Sequence, residues 1–173
     1  MGNTALYDQF ALRDMVWSDT FSSLMSTLLY ILGFTIGIEL IGAVAIWTTI
    51  HGTLGMNFAD EVFFSIFHSI SAFCNAGFDI FGCITPGVSL MEFQSDPVVL
   101  LTLGALVILG GLGFLVWQDL ATNRSFRKCS VYTRLVLVTT AGLLLLGWVL
   151  TCLLEWNNPG TLGPMSPGDK LLN

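Results

Sequence analysis

The sequence predicts an all-α membrane protein: a span, a re-entrant helix and a second span, followed by the first span of a further repeat. Three observations carry that expectation. Apolar residues make up 54% of the chain and charged residues only 10%, against roughly 25% charged in an average soluble domain. Several apolar runs are long enough to cross a bilayer, which takes about 20 residues of helix. Between the first two runs lies a shorter apolar stretch. It is led by two acids and followed by Ser71-Ala72-Phe73-Cys74-Asn75-Ala76-Gly77-Phe78-Asp79, with a glycine placed to turn the chain.

The mean hydropathy of +0.77, with 13 Phe and 5 Trp, agrees with the membrane class. The net charge of -6 argues against a nucleic-acid partner. No secretory signal peptide is visible, because Asp8, Arg13, Asp14 and Asp19 precede the first apolar run instead of a basic leader with a small-residue cleavage site. Cys74, Cys83, Cys129 and Cys152 form no CxxC pair, and no His or carboxylate stands at a metal-ligand spacing from them. They read as small apolar thiols; a Cys74–Cys83 disulfide would distort the loop. No enzyme chemistry and no covalently bound cofactor are expected.

Residues 1–23 read as a cytoplasmic amphipathic lead-in lying at the interface, with Leu6, Phe10, Val16, Trp17 and Phe21 loosely spaced on one helix face. The first span covers about 24–50, roughly 40 Å of helix, enough to cross with tilt. Residues 58–73 form the re-entrant pore helix, with Asn57 as N-cap and Asp60 and Glu61 in the first turn, where acids suit the positive helix end. At about 24 Å it is too short to cross and carries acids at its start. Residues 74–78 form the candidate filter, and a return with Gly82, Pro86 and Gly87 leads to the second span, 97–117, opened by Pro97. A basic cytoplasmic loop covers 118–133, the third span 134–154, and an extracellular segment leading to a next pore helix 155–173. Gly33 and Gly37 form a GxxxG helix-packing pattern, and Trp47, Trp117, Trp148 and Trp156 fall near the expected interfaces as anchors.

Five of the six basic residues set the orientation. Arg124, Arg127, Lys128 and Arg134 flank one loop and Arg13 precedes the first span, so these segments are placed in the cytoplasm and the re-entrant loop opens to the outside. That outer face carries Asp60, Glu61, Asp79, Glu92 and Asp96, an acidic vestibule that would concentrate cations.

A helix ending at Phe73 directs its negative dipole end toward the membrane centre. Irregular backbone at that depth needs to be buried in protein or to line a cavity, and carbonyls held there replace the hydration shell of a monovalent cation. Running extended, the backbone carbonyls of Cys74, Asn75, Ala76 and Gly77 are the candidate cation ligands, Gly77 supplying backbone freedom. The alternative is an ordinary helix C-cap at Asn75 or Gly77 with no ion role. Two side chains are candidates for support. Glu39 lies mid-span, where a carboxylate is costly and a functional role is the default hypothesis, against a bracing role between helices. His68 lies on the pore helix; packing or a hydrogen bond to a neighbour outweighs a Cys74–His68 nucleophile pair, which has no orienting third group.

At this point the residues resemble a known family. Ser71-Ala72-Phe73-Cys74-Asn75-Ala76-Gly77-Phe78 is similar to the pore loop of the Trk/Ktr/HKT superfamily of potassium transporters, in the second of their four repeats. Ile38-Glu39-Leu40-Ile41-Gly42-Ala43, Phe67-His68-Ser69-Ile70-Ser71 and Ile108-Leu109-Gly110-Gly111-Leu112-Gly113-Phe114 resemble that repeat's first span, pore helix and second span. Leu153-Leu154-Glu155-Trp156-Asn157-Asn158-Pro159, with Thr161-Leu162-Gly163, resembles the end of the third repeat's first span. The resemblance implies a potassium-channel-like fold and a multi-pass protein of the inner (plasma) membrane. It implies potassium uptake, sometimes sodium-linked, with K+ as the transported ligand and Gly77 at the filter-glycine position. It further implies a homodimer in the lipid bilayer and a cytosolic nucleotide-binding regulatory subunit of the TrkA/KtrA kind. The chain then stands as a fragment of the pore-forming subunit that should not conduct alone. The competing expectations are a non-conducting membrane assembly piece, or a sodium-selective or sodium-coupled member of the same superfamily.

Overall fold

The computed structural model describes residues 3–83 and 89–173, with side chains from residue 21 onward except those of 83, 91 and 92. The expectations for Pro86, Gly87, Glu92, the Cys83 thiol and the lead-in's amphipathic face lie outside the described residues. The described residues are helical or irregular, without a strand. The chain forms two compact units, Met1–Ile38 and Glu39–Asn173.

The first helix, α1, runs Asn3–Ile50. Its Phe21–Ile50 stretch is long and apolar enough to cross a membrane, and no glycine or proline stands between Asn3 and Leu32 to interrupt the helix. In the first unit Leu24, Leu28, Leu29 and Leu32 are exposed, Tyr30 stacks on Phe34 with ring centroids 6.2 Å apart, and Gly33 and Gly37 have open space where a Cβ would stand.

In the second unit α1 ends in a turn at His51–Gly52, and α2 (Phe58–Phe73) follows. The Asn57 side chain accepts the Asp60 backbone N–H at 2.9 Å, which caps the first turn. Helix α2 then doubles back along α1. Glu61 meets His51 and Gly52 at its start. Two turns later Ser69 donates its hydroxyl to the Glu39 carbonyl at 2.6 Å. The chain returns through residues 78–81 and a 3₁₀ turn Phe81–Cys83, then a second 3₁₀ turn Leu90–Phe93, before α3 (Pro97–Leu112). Asp96 caps α3 through the Val98 and Val99 N–H groups, and Pro97 fills its first turn. Ile46, Ile50, Phe64, Phe81, Phe93 and Val99 form one buried cluster at the end of the unit where α2 begins. Thus α2 enters and its return leaves at the same end, so the element is re-entrant.

The 97–117 span is not one straight helix. It breaks at Gly113, where α4 (Phe114–Asn123) leaves α3 at 88°. Gly113 has φ 80° and ψ 154°, a backbone that side-chain-bearing residues avoid. The break frees the Leu109 carbonyl, which accepts the Trp117 indole N–H at 2.9 Å. Trp117 therefore folds back onto α3 and does not simply anchor at an interface. A 3₁₀ turn Phe126–Lys128 leads to α5 (Val131–Glu155), which extends beyond 134–154 at both ends. None of α5's most apolar stretch is buried; Leu135, Leu143, Leu145, Leu153 and Leu154 are all exposed. Such a surface belongs in lipid or against further protein. Helix α6 (Pro167–Leu172) closes the chain, held by Lys170 Nζ on the Trp156 carbonyl at 2.8 Å and Asn173 on the Gln94 carbonyl at 2.6 Å.

Candidate functional site

The loop after α2 does not run extended from Phe73. The Asn75 N–H donates to the Ala72 carbonyl at 3.0 Å and the Ala76 N–H to the Ser71 carbonyl at 2.9 Å. Together these bonds form a Schellman closure. Cys74 is right-handed (φ -75°, ψ 0°), and Asn75 is left-handed with φ 53°. Asparagine is among the few side-chain-bearing residues that take this conformation readily. Gly77 has φ 69°, so positive φ falls on alternate residues, 75 and 77. The C-cap geometry is therefore real and sits at Asn75, one of the two positions the sequence offered for it.

Two glycines let neighbouring helices close on the inner half of α2. A Cβ on Gly110 of α3 would overlap the Phe73 carbonyl oxygen and stand 2.8 Å from its carbon. On the α1 side, a Cβ on Gly42 would stand 2.6 Å from Ser69 Oγ and 2.7 Å from a Leu106 methyl. Asn75 reaches α3 directly, its amide donating to the Val107 carbonyl at 3.4 Å. Counting from Pro97, Gly110 lies about 20 Å along α3, well inside a hydrocarbon core about 30 Å thick.

Behind the loop, α2 presents polar groups to the returning chain. Ser71 Oγ donates to the Phe78 carbonyl at 2.7 Å. His68 is 3% exposed. Its Nδ1–H donates to the Phe64 carbonyl at 2.8 Å, and its Nε2 accepts the Ile80 N–H at 3.4 Å. Phe64 and Phe81 enclose the imidazole with centroids 4.5 and 4.4 Å away. His68 thus binds the return of its own loop, not a neighbouring span, and its Nδ1 is already engaged. Asp79 accepts the Phe81 N–H at 2.6 Å and the Ser89 hydroxyl. A cleft of about 230 Å³ lies among His68, Ser71, Asn75, Gly77, Phe78 and Val107.

Glu39 meets α2 through its backbone carbonyl, not through its carboxyl. Cys74 is exposed, with a free thiol. The acids of the expected vestibule also serve the fold. Asp60 accepts the side-chain amide of the N-cap Asn57 at 2.6 Å, Asp96 caps α3, and Asp79 closes a turn. Glu61 is 2% exposed and accepts the Gly52 N–H at 2.9 Å and His51 Nδ1–H at 2.7 Å. These partners, Gly52 first, hold its carboxyl below the usual carboxylate range. No grouping of three or more metal-ligating side chains occurs among the described residues.

At the opposite end of the unit, Asp119 of α4 accepts the Ser130 N–H at 2.9 Å and its hydroxyl at 2.8 Å. The Thr133 hydroxyl, then Ser130 and Asn123, lower its carboxyl to about 2. This tie joins α4 to the start of α5 and orders the segment that bears Arg124, Arg127 and Lys128.

The family model for TrkH, cation transport protein, matches residues 1–157. The chain belongs to this family. Among curated relatives, it is 35% identical over 149 residues to the potassium/sodium uptake protein NtpJ of Enterococcus hirae, covering 86% of this chain and 32% of that protein. It is 42% identical over 119 residues to the Ktr system potassium uptake protein B of Vibrio alginolyticus, covering 68% and 25%. It is 40% identical over 138 residues to the protein of the same name in Bacillus subtilis, covering 80% and 29%. The chain therefore spans about a quarter to a third of the length of these relatives. Family membership and the apolar helices make it a membrane protein of a transporter family.

Sequence reasoning placed the loop but missed Ser71, Ser69, Glu61 and Gly110 as its supports. A signal existed for Ser71: it stands three residues after His68, on the same face of a helix.

Proposed function

We propose that this chain supplies one repeat's share of the pore of a potassium-uptake transporter, with the carbonyls of Cys74, Asn75, Ala76 and Gly77 as ligands for a dehydrated cation. The observation that carries the reading is the alternation of φ sign along these residues. In a strand with φ always negative, successive carbonyls point to opposite sides. A left-handed residue at every second position turns them toward one side, the converse of the way such alternation gathers N–H groups into an anion nest. The C-terminal end of α2 adds partial negative charge beside them. The potassium uptake named for the two Ktr relatives supports the choice of ion.

The name of the Enterococcus hirae relative includes sodium, which favours a second reading in which sodium is carried or coupled. In either case the surrounding assembly is a homodimer of the complete protein in the inner (plasma) membrane. A cytosolic nucleotide-binding subunit of the TrkA/KtrA kind meets the face that bears Arg124, Arg127 and Lys128.

The test is a chimera in which this chain replaces the matching stretch of the Bacillus subtilis protein, expressed in cells lacking potassium uptake. Rescue of growth at low potassium, with selectivity lost on Gly77→Ser, is the expected result. Equal rescue and equal selectivity with either residue would sink the filter reading. Rescue by this chain alone would show that it assembles its own pore.

A further inference from the structure

We infer that Ser71 is a specificity-determining positioning residue: its hydroxyl pegs the Phe78 carbonyl to the back of α2 and so ends the line of cation ligands at Gly77. The inference rests on the carbonyl-filter reading of residues 74–77 and deepens it. Ser71 Oγ donates to the Phe78 carbonyl at 2.7 Å, and Ser71 is 7% exposed. A carbonyl that accepts a short hydrogen bond from the rear has its oxygen directed to the helix, away from any ion on the other side of the loop. One turn back on the same face of α2, His68 Nε2 accepts the Ile80 N–H. The returning chain is therefore held at two points, one through a carbonyl and one through an amide two residues later.

The cleft beside the peg gives it consequence. About 230 Å³ of space, lined by Ser71, Gly77, Phe78 and Leu103 among others, lies against this segment. In a close-packed interior, neighbours would hold the Phe78 peptide in place without a hydrogen bond. Here the space leaves the peptide free to rotate once the hydroxyl is removed. Gly77, directly before it, has φ 69° and nothing within 4 Å of its Cβ position, so it provides the hinge. The released carbonyl would then compete to face the ion path, adding or displacing a ligand. A change in ligand number alters the balance between a larger and a smaller alkali cation, since selectivity depends on the number and field of coordinating carbonyls. The peg thus bears on which ion passes more than on whether the protein folds.

The experiment uses the chimera described above and reads the ratio of potassium to sodium uptake, which is independent of expression level. Ser71→Ala should keep the protein at the membrane and lower the ratio at least about fivefold. That factor corresponds to about 1 kcal/mol at 1.4 kcal/mol per tenfold, the usual worth of one hydrogen bond. Ser71→Thr, which keeps the hydroxyl, should restore it. Should Ser71→Ala not accumulate, Ser71→Cys, a weak donor of similar size, is read the same way. Gly77→Ser runs in parallel. If Gly77→Ser changes the ratio while Ser71→Ala or Ser71→Cys leaves it at the parental value, the peg is overturned and the filter stands. If neither changes the ratio, both readings fall. A ratio lowered equally by Ser71→Ala and Ser71→Thr would also overturn the peg, since the hydroxyl would then be irrelevant.

Discussion

Replacing Gly110 by alanine drives a methyl group into the backbone at the end of α2. The new Cβ would overlap the Phe73 carbonyl oxygen, with the carbonyl carbon at 2.8 Å and the Phe73 Cα at 3.3 Å. Non-bonded carbons rest at about 3.5–4.0 Å, so α2 and α3 must separate by roughly 1 Å. The obstructing atoms are backbone and cannot rotate away. Gly104, on the same helix, has nothing within 4 Å of its Cβ position, which makes Gly104→Ala the natural control. Both substitutions share the helix-propensity gain of about 0.5–1 kcal/mol, so the difference between them isolates the clash. Overpacking a well-packed site costs about 1–3 kcal/mol, and that is the expected gap in unfolding free energy between the two variants in detergent. The displaced atoms include Phe73, directly before the candidate ligands, so potassium uptake by the chimera should fall in Gly110→Ala and persist in Gly104→Ala. Equal stability and equal uptake in the two variants would refute the close approach of α3 to the end of α2.

The two low carboxyls yield further expectations. Asp119, held at about 2 against an ordinary 3.8, has a depressed folded value, so its contribution is complete above pH 4 and lost as pH falls toward 2. The unfolding midpoint of the parent should therefore exceed that of Asp119→Ala at pH 5, and the gap should narrow as pH falls to 2; a gap that stays constant over this range would contradict the assignment. Glu61, also lowered, ties the end of α1 to the start of α2 with the same sign, strong at neutral pH and weakening as pH drops below the carboxylate range. Glu61→Gln should speed hydrogen exchange at the Gly52 amide severalfold at pH 7, and an unchanged rate would show that the carboxylate does not hold that turn.

How far these features were legible depends on whether their cause was local. Asn57, Asp60 and Pro97 announced helix starts through chemistry confined to one turn, and α2 begins and ends at Phe58 and Phe73 accordingly. The shortness of the apolar stretch and its leading acids pointed to a re-entrant helix. The break at Gly113 was hidden because Gly110-Gly111-Leu112-Gly113 suits either close packing or a bend. The choice depends on Phe73 lying against Gly110 and on Trp117 folding back to the Leu109 carbonyl. The structural roles of the acids near the loop were hidden because charge is visible in sequence and partners are not. Glu61 is bound by His51 and Gly52, ten and nine residues away across a turn. Ser71 shares a helix face with His68, but its partner, the Phe78 carbonyl seven residues on, depends on how the loop folds back.

The loop's supports share one physical requirement. Between Cys74 and Ile80 the chain leaves regular structure inside an apolar slab, where each unpaired backbone group costs several kcal/mol. The rear-facing groups are therefore satisfied from α2 itself. The Asn75 and Ala76 N–H groups bond to Ala72 and Ser71 carbonyls, the Phe78 carbonyl to Ser71 Oγ, and the Ile80 N–H to His68. Short side chains and glycines let this happen in little space: Ser69 and Gly42 close one flank of α2, Gly110 the other. Among the described residues, no backbone or side-chain donor bonds to the carbonyls of Cys74 to Gly77. Under the proposed filter reading, a monovalent cation is the partner that such a carbonyl line would take. Removing a rear support, as in Ser71→Ala, should therefore alter which carbonyls remain for the ion, whereas removing a flank support, as in Gly110→Ala, should displace them together.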